Sequence, residues 1–407
     1  MFLLKLAFLN IGRNPRRSVI TVLAVGVGLA ALIFLWGFSD GTNEQMRENV
    51  IRLYTGHVQV HAAGFEKALS PELIIPNRET LLKEASKVPG FVTYTERAKC
   101  EALLGTSERS RGVLLMGIDP AQEKTVTQLE QYVREGAYLA QDDKRSILIG
   151  SRLAKRMEVA VGDKLVVMTQ ALDGTLAGYS YHIAGILHTG SQQVDEIAAY
   201  ITLESAQELL GLGTDTHEIV FRLDSRKHIE AFIKAFRPFV SEKDYELLTW
   251  DQIVPEVEQW AQWAEAIIQT ILIAVMVVIG VSIMNTVLMS VFERTREIGV
   301  MLALGTSPGR VIKLILLETI VLELWGILLG LAAGYAVVGY FGTAGIAFPE
   351  LEAAFSRSYM STVTYTRVET IHVVQSVITL LLLTTLISLY PAWKAGRMEP
   401  VKAIYHS

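Results

Sequence analysis

Glu293–Glu318 reads ERTREIGVMLALGTSPGRVIKLILLE and lies between two long apolar runs. A charge cluster of Glu293, Arg294, Arg296 and Glu297 opens it. A short amphipathic segment follows, with Ile298, Met301, Leu302 and Leu304 as its apolar positions and Gly299 among them. Gly305-Thr306-Ser307-Pro308-Gly309 then interrupts the pattern, because Gly and Pro stop a helix and Ser or Thr caps the next one. Arg310 and Lys313 lead into the following apolar run. The pattern predicts a short helix at a membrane surface, tethered between two spans. Two uses are open to it: docking a cytoplasmic partner, or serving as an ordinary basic loop that fixes topology.

The surrounding chain fits a membrane setting. Of 407 residues, 51% are hydrophobic, and the mean hydropathy is +0.34. That is too apolar for a soluble protein of this size. The net charge of -5 has no nucleic-acid meaning, since the basic residues cluster beside apolar runs. A single cysteine, Cys100, excludes an intrachain disulfide framework and a cysteine metal cluster.

A bilayer core of roughly 30 Å needs about 20 apolar helical residues. Four runs qualify: 18–38, 266–291, 311–341 and 371–390. The first is expected to be retained, being long and without a small-x-small cleavage site. Basic residues flank the ends facing 1–17, 292–310 and 391–407, whereas 342–370 carries only Arg357 and Arg367. The positive-inside rule then puts both termini and the 292–310 loop in the cytoplasm. Residues 1–17 read as an interfacial amphipathic helix, and 39–265 as a large extracytoplasmic domain. Trp36 fits an aromatic belt at the outer face.

The 39–265 segment mixes strands and helices. Strands are expected at 57–62, 112–118, 147–149, 164–169, 181–187, 198–202 and 218–223, and helices at 203–210 and 227–239. Its two ends read as stalk helices continuing the spans. Met46, Val50 and Leu53 mark one apolar face; Ile253, Val257, Trp260 and Ala264 recur at i, i+4, i+7 and i+11 on the other. Trp260 and Trp263 are either simple interfacial anchors or a collar at the mouth of a lipid-accepting cavity. In a dimer these faces are expected to line a pocket at the outer leaflet. Asp173-Gly174, within Leu172, Asp173, Gly174, Thr175 and Leu176, signals a hairpin.

Polar residues inside the spans carry their own expectations. Asn285 is an interhelical hydrogen-bond donor. Glu318 and Glu323 lie about 7 Å apart along one helix. Glu323 is either a structural hydrogen-bonded carboxyl or part of a proton relay. Gly326, Gly330 and Gly334 form a doubled GxxxG face, and Gly26 and Gly28 allow close approach in the first span. Enzyme chemistry finds no support. Gly305–Gly309 has no P-loop lysine and follows a helix, so no nucleotide site is expected in this chain. His57 and His61 fall roughly 13 Å apart on a strand, too far to share a metal.

The opening stretch resembles the signature "ER-x-REIG-x-x-x-A-x-G-x-x" of the FtsX/MacB/Lol superfamily of ABC-transporter permeases. Leu6–Gly28, LAFLNIGRNPRRSVITVLAVGVG, resembles the family's opening segment and first span, and Tyr390–Ile404, YPAWKAGRMEPVKAI, its closing "P-A-x-x-A-x-x-x-x-P-x-x-A". Ile149–Asp163 resembles "G-x-x-L-A-x-x-x-x-V-x-x-G-D". Glu318 matches an acidic family position, whereas Glu323 stands where a small residue is expected. The resemblance implies four transmembrane helices and a large α+β, MacB-like periplasmic core domain between the first two. It implies a type VII, mechanotransmission permease in the bacterial inner membrane, working as a homodimer or with a paralogous second permease subunit. A separate ABC ATPase dimer would hold the ATP and Mg and dock on Glu293, Arg294, Arg296, Glu297, Ile298, Gly299, Met301, Leu302 and Gly305.

Four spans without a fused ATPase are closest to the lipoprotein-releasing, LolC/LolE-like branch, with a lipoprotein or lipid as cargo. In that branch a protruding hairpin captures a periplasmic carrier, which would place Leu172–Leu176 on a carrier or adaptor protein; here the segment is short and lacks prolines. The alternatives are a MacB-like efflux permease and an FtsX-like transducer that controls an extracytoplasmic partner without moving cargo.

Overall fold

The structure, a computed structural model, describes residues 15–351, 359–360 and 363–399, together with Leu6, Asn10, Gly12 and Arg13. Most of the expected 1–17 amphipathic segment and the tail from 400 onward lie outside the described residues. The chain divides into two compact units: Met1–Asn43, Trp260–Ala347 and Val363–Ser407 form one, and Glu44–Gln259 with Phe348–Thr362 the other.

Four long apolar helices build the first unit: α1 (Pro15–Val50) up to Asn43, α2 (Pro255–Glu293) from Trp260 onward, α4 (Pro308–Ala344) and α5 (Thr370–Gly396). A short helix, α3 (Thr295–Ala303), separates α2 from α4. Each of the four is long and apolar enough to cross a membrane. The 36 residues of α1 extend about 54 Å at 1.5 Å per residue, well past a bilayer core of roughly 30 Å.

The α1–α4 contact rests on glycine, as the repeat predicts. A Cβ at Gly330 would stand 2.8 Å from Leu29 Cβ and 2.9 Å from the Gly26 carbonyl oxygen. Gly326 meets Val25 and Gly334 meets Ile33 in the same manner. Both sets recur every fourth residue, so a ridge of α1 lies in a groove that α4 can offer only without side chains.

Two expectations for the spans need correction. Trp36 does not join an exposed belt: it is buried and stacked on His372, with ring centroids 4.0 Å apart. The chain leading into α5 crosses α1 here, the Arg367 N–H donating to the Gly37 carbonyl at 2.8 Å, and this brings His372 onto the indole. Asn285 is exposed and makes no side-chain hydrogen bond among the described residues. Ile283 and Val287 take the inward positions of α2, which turns Asn285 away from the bundle.

A ten-stranded sheet dominates the second unit. Its strands are β1 (Val58–Ala62), β2 (Phe91–Gly105), β3 (Ser110–Ile118), β4 (Val133–Gly136), β5 (Ser146–Gly150), β6 (Lys164–Gln170), β7 (Leu176–Leu187), β8 (Ala198–Thr202), β9 (Glu218–Leu223) and β10 (Tyr245–Thr249). The order is β10-β1-β9-β2-β3-β8-β5-β7-β4, with β6 pairing β2 and β7. Only β3–β8 and β5–β7 pair in parallel. Helices at Leu203–Leu210 and Ile229–Phe236 cover two apolar clusters, one around Cys100, Leu165 and Tyr181, the other around Val58, Phe221, Phe232 and Trp250.

The apolar stalk faces are part of this interior. Met46, Val50 and Val257 are buried in one cluster with Val254 and Trp250, and Ile253 packs partly against it. Leu53, in a π-helical turn at Ile51–Thr55, is buried against Met116 and Tyr200. Arg47 pairs with Glu258 at 3.0 Å beside them. These residues therefore do not line a pocket between subunits. An amphipathic face must be covered, and the chain's own domain covers it. Trp260 and Trp263 remain exposed, and Ala264 is half-buried.

Candidate functional site

Helix α3 forms as the charge cluster and apolar spacing predict, with Arg294 at its N-cap and Leu304 at its C-cap. Gly305 follows in the left-handed region at φ +87°, and Pro308 opens α4 at its first turn. Ser307 holds the cap position of α4 but makes no capping side-chain bond.

The helix has two faces. Thr295, Ile298 and Gly299 are buried, and Met301 and Leu302 pack partly against the bundle core. The residues expected to dock a partner thus divide, and Ile298 and Gly299 instead seat the helix on its own spans. Arg296, Val300, Leu304 and Gly305 form the opposite, exposed face, with Leu304 83% exposed.

A chain of ion pairs clamps the start of this helix. Arg13 makes a two-pronged pair with Glu297 at 2.7 and 3.2 Å. Arg294 Nε reaches the same carboxylate at 3.2 Å, and its Nη1 lies 3.0 Å from both oxygens of Glu318. The Asn10 side chain also donates to Glu318. Arg17 bonds Glu293 at 2.8 Å and Ser290 at 2.9 Å. The hydrogen bond from Arg13 holds the Glu297 carboxyl below its ordinary range; partial burial opposes this, and Arg294 adds to the lowering. Glu297 is therefore engaged within the chain. Arg13 and Arg17 stand among the basic residues read for topology and in the Leu6–Gly28 stretch read for its family resemblance; their place in the sequence gives no sign that they reach residues past the second span.

The other singled-out residues lie apart from this cluster. Glu323 is 1% exposed and accepts from Thr384 of α5; its second oxygen has no partner among the described residues. The hairpin forms between β6 and β7, with Gln170 opposite Leu176. Asp173 accepts from the Thr175 N–H and hydroxyl, and Gly174 takes φ +78°. The Leu172 N–H donates to the Leu210 carbonyl at 2.8 Å, which ties the turn back to the Leu203–Leu210 helix, while Leu176 is 79% exposed.

A buried ionic cluster in the α/β unit escaped the sequence reading. Arg97 bonds Glu123 at 2.7 Å and Glu218 at 2.7 Å, and Lys99 bonds Glu66 at 3.1 Å. Burial alone would raise the Glu218 carboxyl, but His61, Arg97 and Lys99 hold it well below the usual range.

The fold and the clamped helix define a class of membrane protein. The chain belongs to the family of permeases that carry a MacB-like periplasmic core domain, matched over residues 18–239, and an FtsX-like permease C-terminal domain, matched over 270–400. It is an ABC transporter permease of the FtsX/MacB/LolC type. Among its relatives, the lipoprotein-releasing system transmembrane protein LolC of Xylella fastidiosa is 22% identical over 95% of this chain and 93% of its own length. The uncharacterized ABC transporter permease YvrN of Bacillus subtilis is 24% identical over 82% and 86%. The macrolide export ATP-binding/permease protein MacB of Chromobacterium violaceum is 22% identical over 82% of this chain but 52% of that protein. The solved periplasmic region of MacB from Actinobacillus actinomycetemcomitans aligns with 52% of the chain at 14% identity and a TM-score of 0.36.

Proposed function

We propose that this chain is the membrane subunit of an inner-membrane transporter that uses ATP hydrolysis by a separate ATPase subunit to extract a lipoprotein or lipid. The observation that carries this reading is the likeness to LolC, at 22% identity over 95% of this chain. ATP and Mg belong to the ATPase subunit. That subunit docks on Arg296, Val300 and Leu304, and Ile298 and the Arg13–Glu297–Arg294–Glu318 chain pass its movement to α2 and α4. Both termini and α3 face the cytoplasm, following the positive-inside rule. A second permease subunit packs on α2, because an exposed Asn285 inside a span is costly against lipid.

Reconstitution with the ATPase and a triacylated lipoprotein in proteoliposomes tests the reading. ATP-dependent release of the lipoprotein is expected. ATPase stimulation by soluble amphiphiles, without lipoprotein release, overturns it in favour of efflux. The short turn tied to Leu210 favours this second, MacB-like reading, since it offers little protruding surface to a carrier. For orientation, an impermeant thiol probe should label Asp173→Cys from outside and Thr306→Cys only after permeabilisation.

A further inference from the structure

The exposed face of α5 changes character over its last turn. From Leu382 to Trp393 its exposed residues, Leu386 and Leu389 among them, are all apolar or aromatic. No amide like Asn285 of α2 interrupts them, so this face suits acyl chains. Lys394 follows Trp393 directly, and Arg397 continues the same stripe four residues, about 6 Å, beyond it. The stripe thus passes from hydrocarbon depth to head-group depth.

Both cations have an aromatic seat but no counter-ion. Arg397 lies 4.4 Å from the Trp393 ring centroid, and Lys394 lies 5.4 Å from that of Phe292, exposed at the end of α2. A ring face holds a cation but uses up none of its N–H donors. Neither side chain makes an ion pair or hydrogen bond among the described residues. Arg13, Arg17 and Arg294, by contrast, are each tied to a carboxylate. The last turn of α5 is seated on the start of α4: a Cβ at Gly396 would stand 3.1 Å from the Pro308 carbonyl oxygen and 3.0 Å from Ile312. Arg310 and Lys313, exposed and also without an ion pair among the described residues, add to the positive field there.

We infer that the C-terminal end of α5 binds the phosphate of an anionic phospholipid. The planar fork of Arg397 takes two phosphate oxygens and the Lys394 ammonium a third. The acyl chains lie along Leu386 and Leu389. The ligand is a lipid rather than a free anion because the cations continue an apolar face that chains fill. The leaflet follows from the cytoplasmic placement of α3 proposed above, which thiol labelling tests separately; the site itself depends on neither that placement nor the cargo.

The test uses the full chain in detergent micelles, titrated with phosphatidylglycerol or phosphatidylcholine and read by native mass spectrometry. Phosphatidylglycerol is expected to bind about tenfold more tightly. Replacing both cations, Lys394→Gln with Arg397→Gln, should bring it to the affinity of phosphatidylcholine; both positions are exposed, so the fold is kept. Arg16→Gln removes an exposed cation before the first span and should leave the preference unchanged. Four results would overturn the proposal: no preference in the wild type, an unchanged preference in the double variant, an equal loss in Arg16→Gln, or displacement of phosphatidylglycerol by inorganic phosphate.

Discussion

Arg13 and Glu297 stand 284 residues apart in the chain and meet in a two-pronged ion pair. The clamp fixes one face of α3 and leaves Val300 and Leu304 outward, so holding and docking fall on different residues. Leu304→Asp is expected to abolish co-purification with the ATPase subunit while changing thermal stability by less than about 0.5 kcal/mol. Arg294→Ala should do the reverse first. It strands the largely buried Glu318 without its cation and costs about 2 kcal/mol, below the value for a fully buried pair. Normal ATPase binding by Leu304→Asp would remove the docking role from this face.

Acid should weaken the α/β domain in two stages. Burial, with Arg222 and Arg226 nearby, lowers the pKa of His57 to about 4. Its Nδ1 accepts from the Leu223 N–H at 3.2 Å, so the folded state holds it neutral. Between pH 6.5 and 4 the unfolded chain binds a proton that the folded one refuses, and stability falls as pH drops through that window. The effect is on the order of 3 kcal/mol at its limit. Glu218 acts lower: its depressed carboxyl contributes stability that is present above the ordinary carboxylate range and is lost as pH falls below it. His57→Asn keeps an acceptor for Leu223 but cannot titrate. Its thermal stability should be flatter than wild type between pH 6.5 and 4; an unchanged slope would exonerate His57.

The spans, α3 and most strands were legible because their apolar periods are regular. Glu218–Leu223 and Ala198–Thr202 form with the predicted limits. The fifteen-residue β2 was missed for a physical reason. Arg97 and Lys99 point inward, against the usual polar-out alternation, and their partners Glu123 and Glu218 lie 26 and 121 residues from Arg97. Such pairing leaves no local trace. The same holds for Met46, Val50 and Val257. Helical spacing revealed that their face needed cover, but not that the chain's own domain supplies it.

Gly330 tests the helix packing. Any side chain there meets Leu29 Cβ and a backbone oxygen of α1, neither of which can swing away. Gly330→Val should lower the unfolding free energy by about 1–3 kcal/mol through overpacking. Gly339, on the same helix, has open space where a Cβ would go. Gly339→Val should therefore be nearly neutral in the same unfolding assay. Equal effects of the two substitutions would mean that the close α1–α4 approach is not what the glycines serve.

Glu323 decides between two uses of a carboxyl inside a span. The Thr384 hydroxyl is shared between Glu323 and the Leu380 carbonyl, 2.8 Å away, so the pair ties α4 to α5. No other titratable side chain is hydrogen-bonded to Glu323 among the described residues, whereas a relay needs a next acceptor for its proton. The tie needs only an oxygen facing Thr384, which an amide supplies as well as an acid. Glu323→Gln is therefore expected to keep both folding and ATPase coupling at every pH tested. Glu323→Leu should lose about 1 kcal/mol, the usual size of an interhelical hydrogen bond in a membrane. Thr384→Val should lose a similar amount, and the double variant little more, because both changes delete one bond. A Glu323→Gln protein that folds normally but no longer couples ATP hydrolysis to transport would assign the carboxyl to proton movement instead.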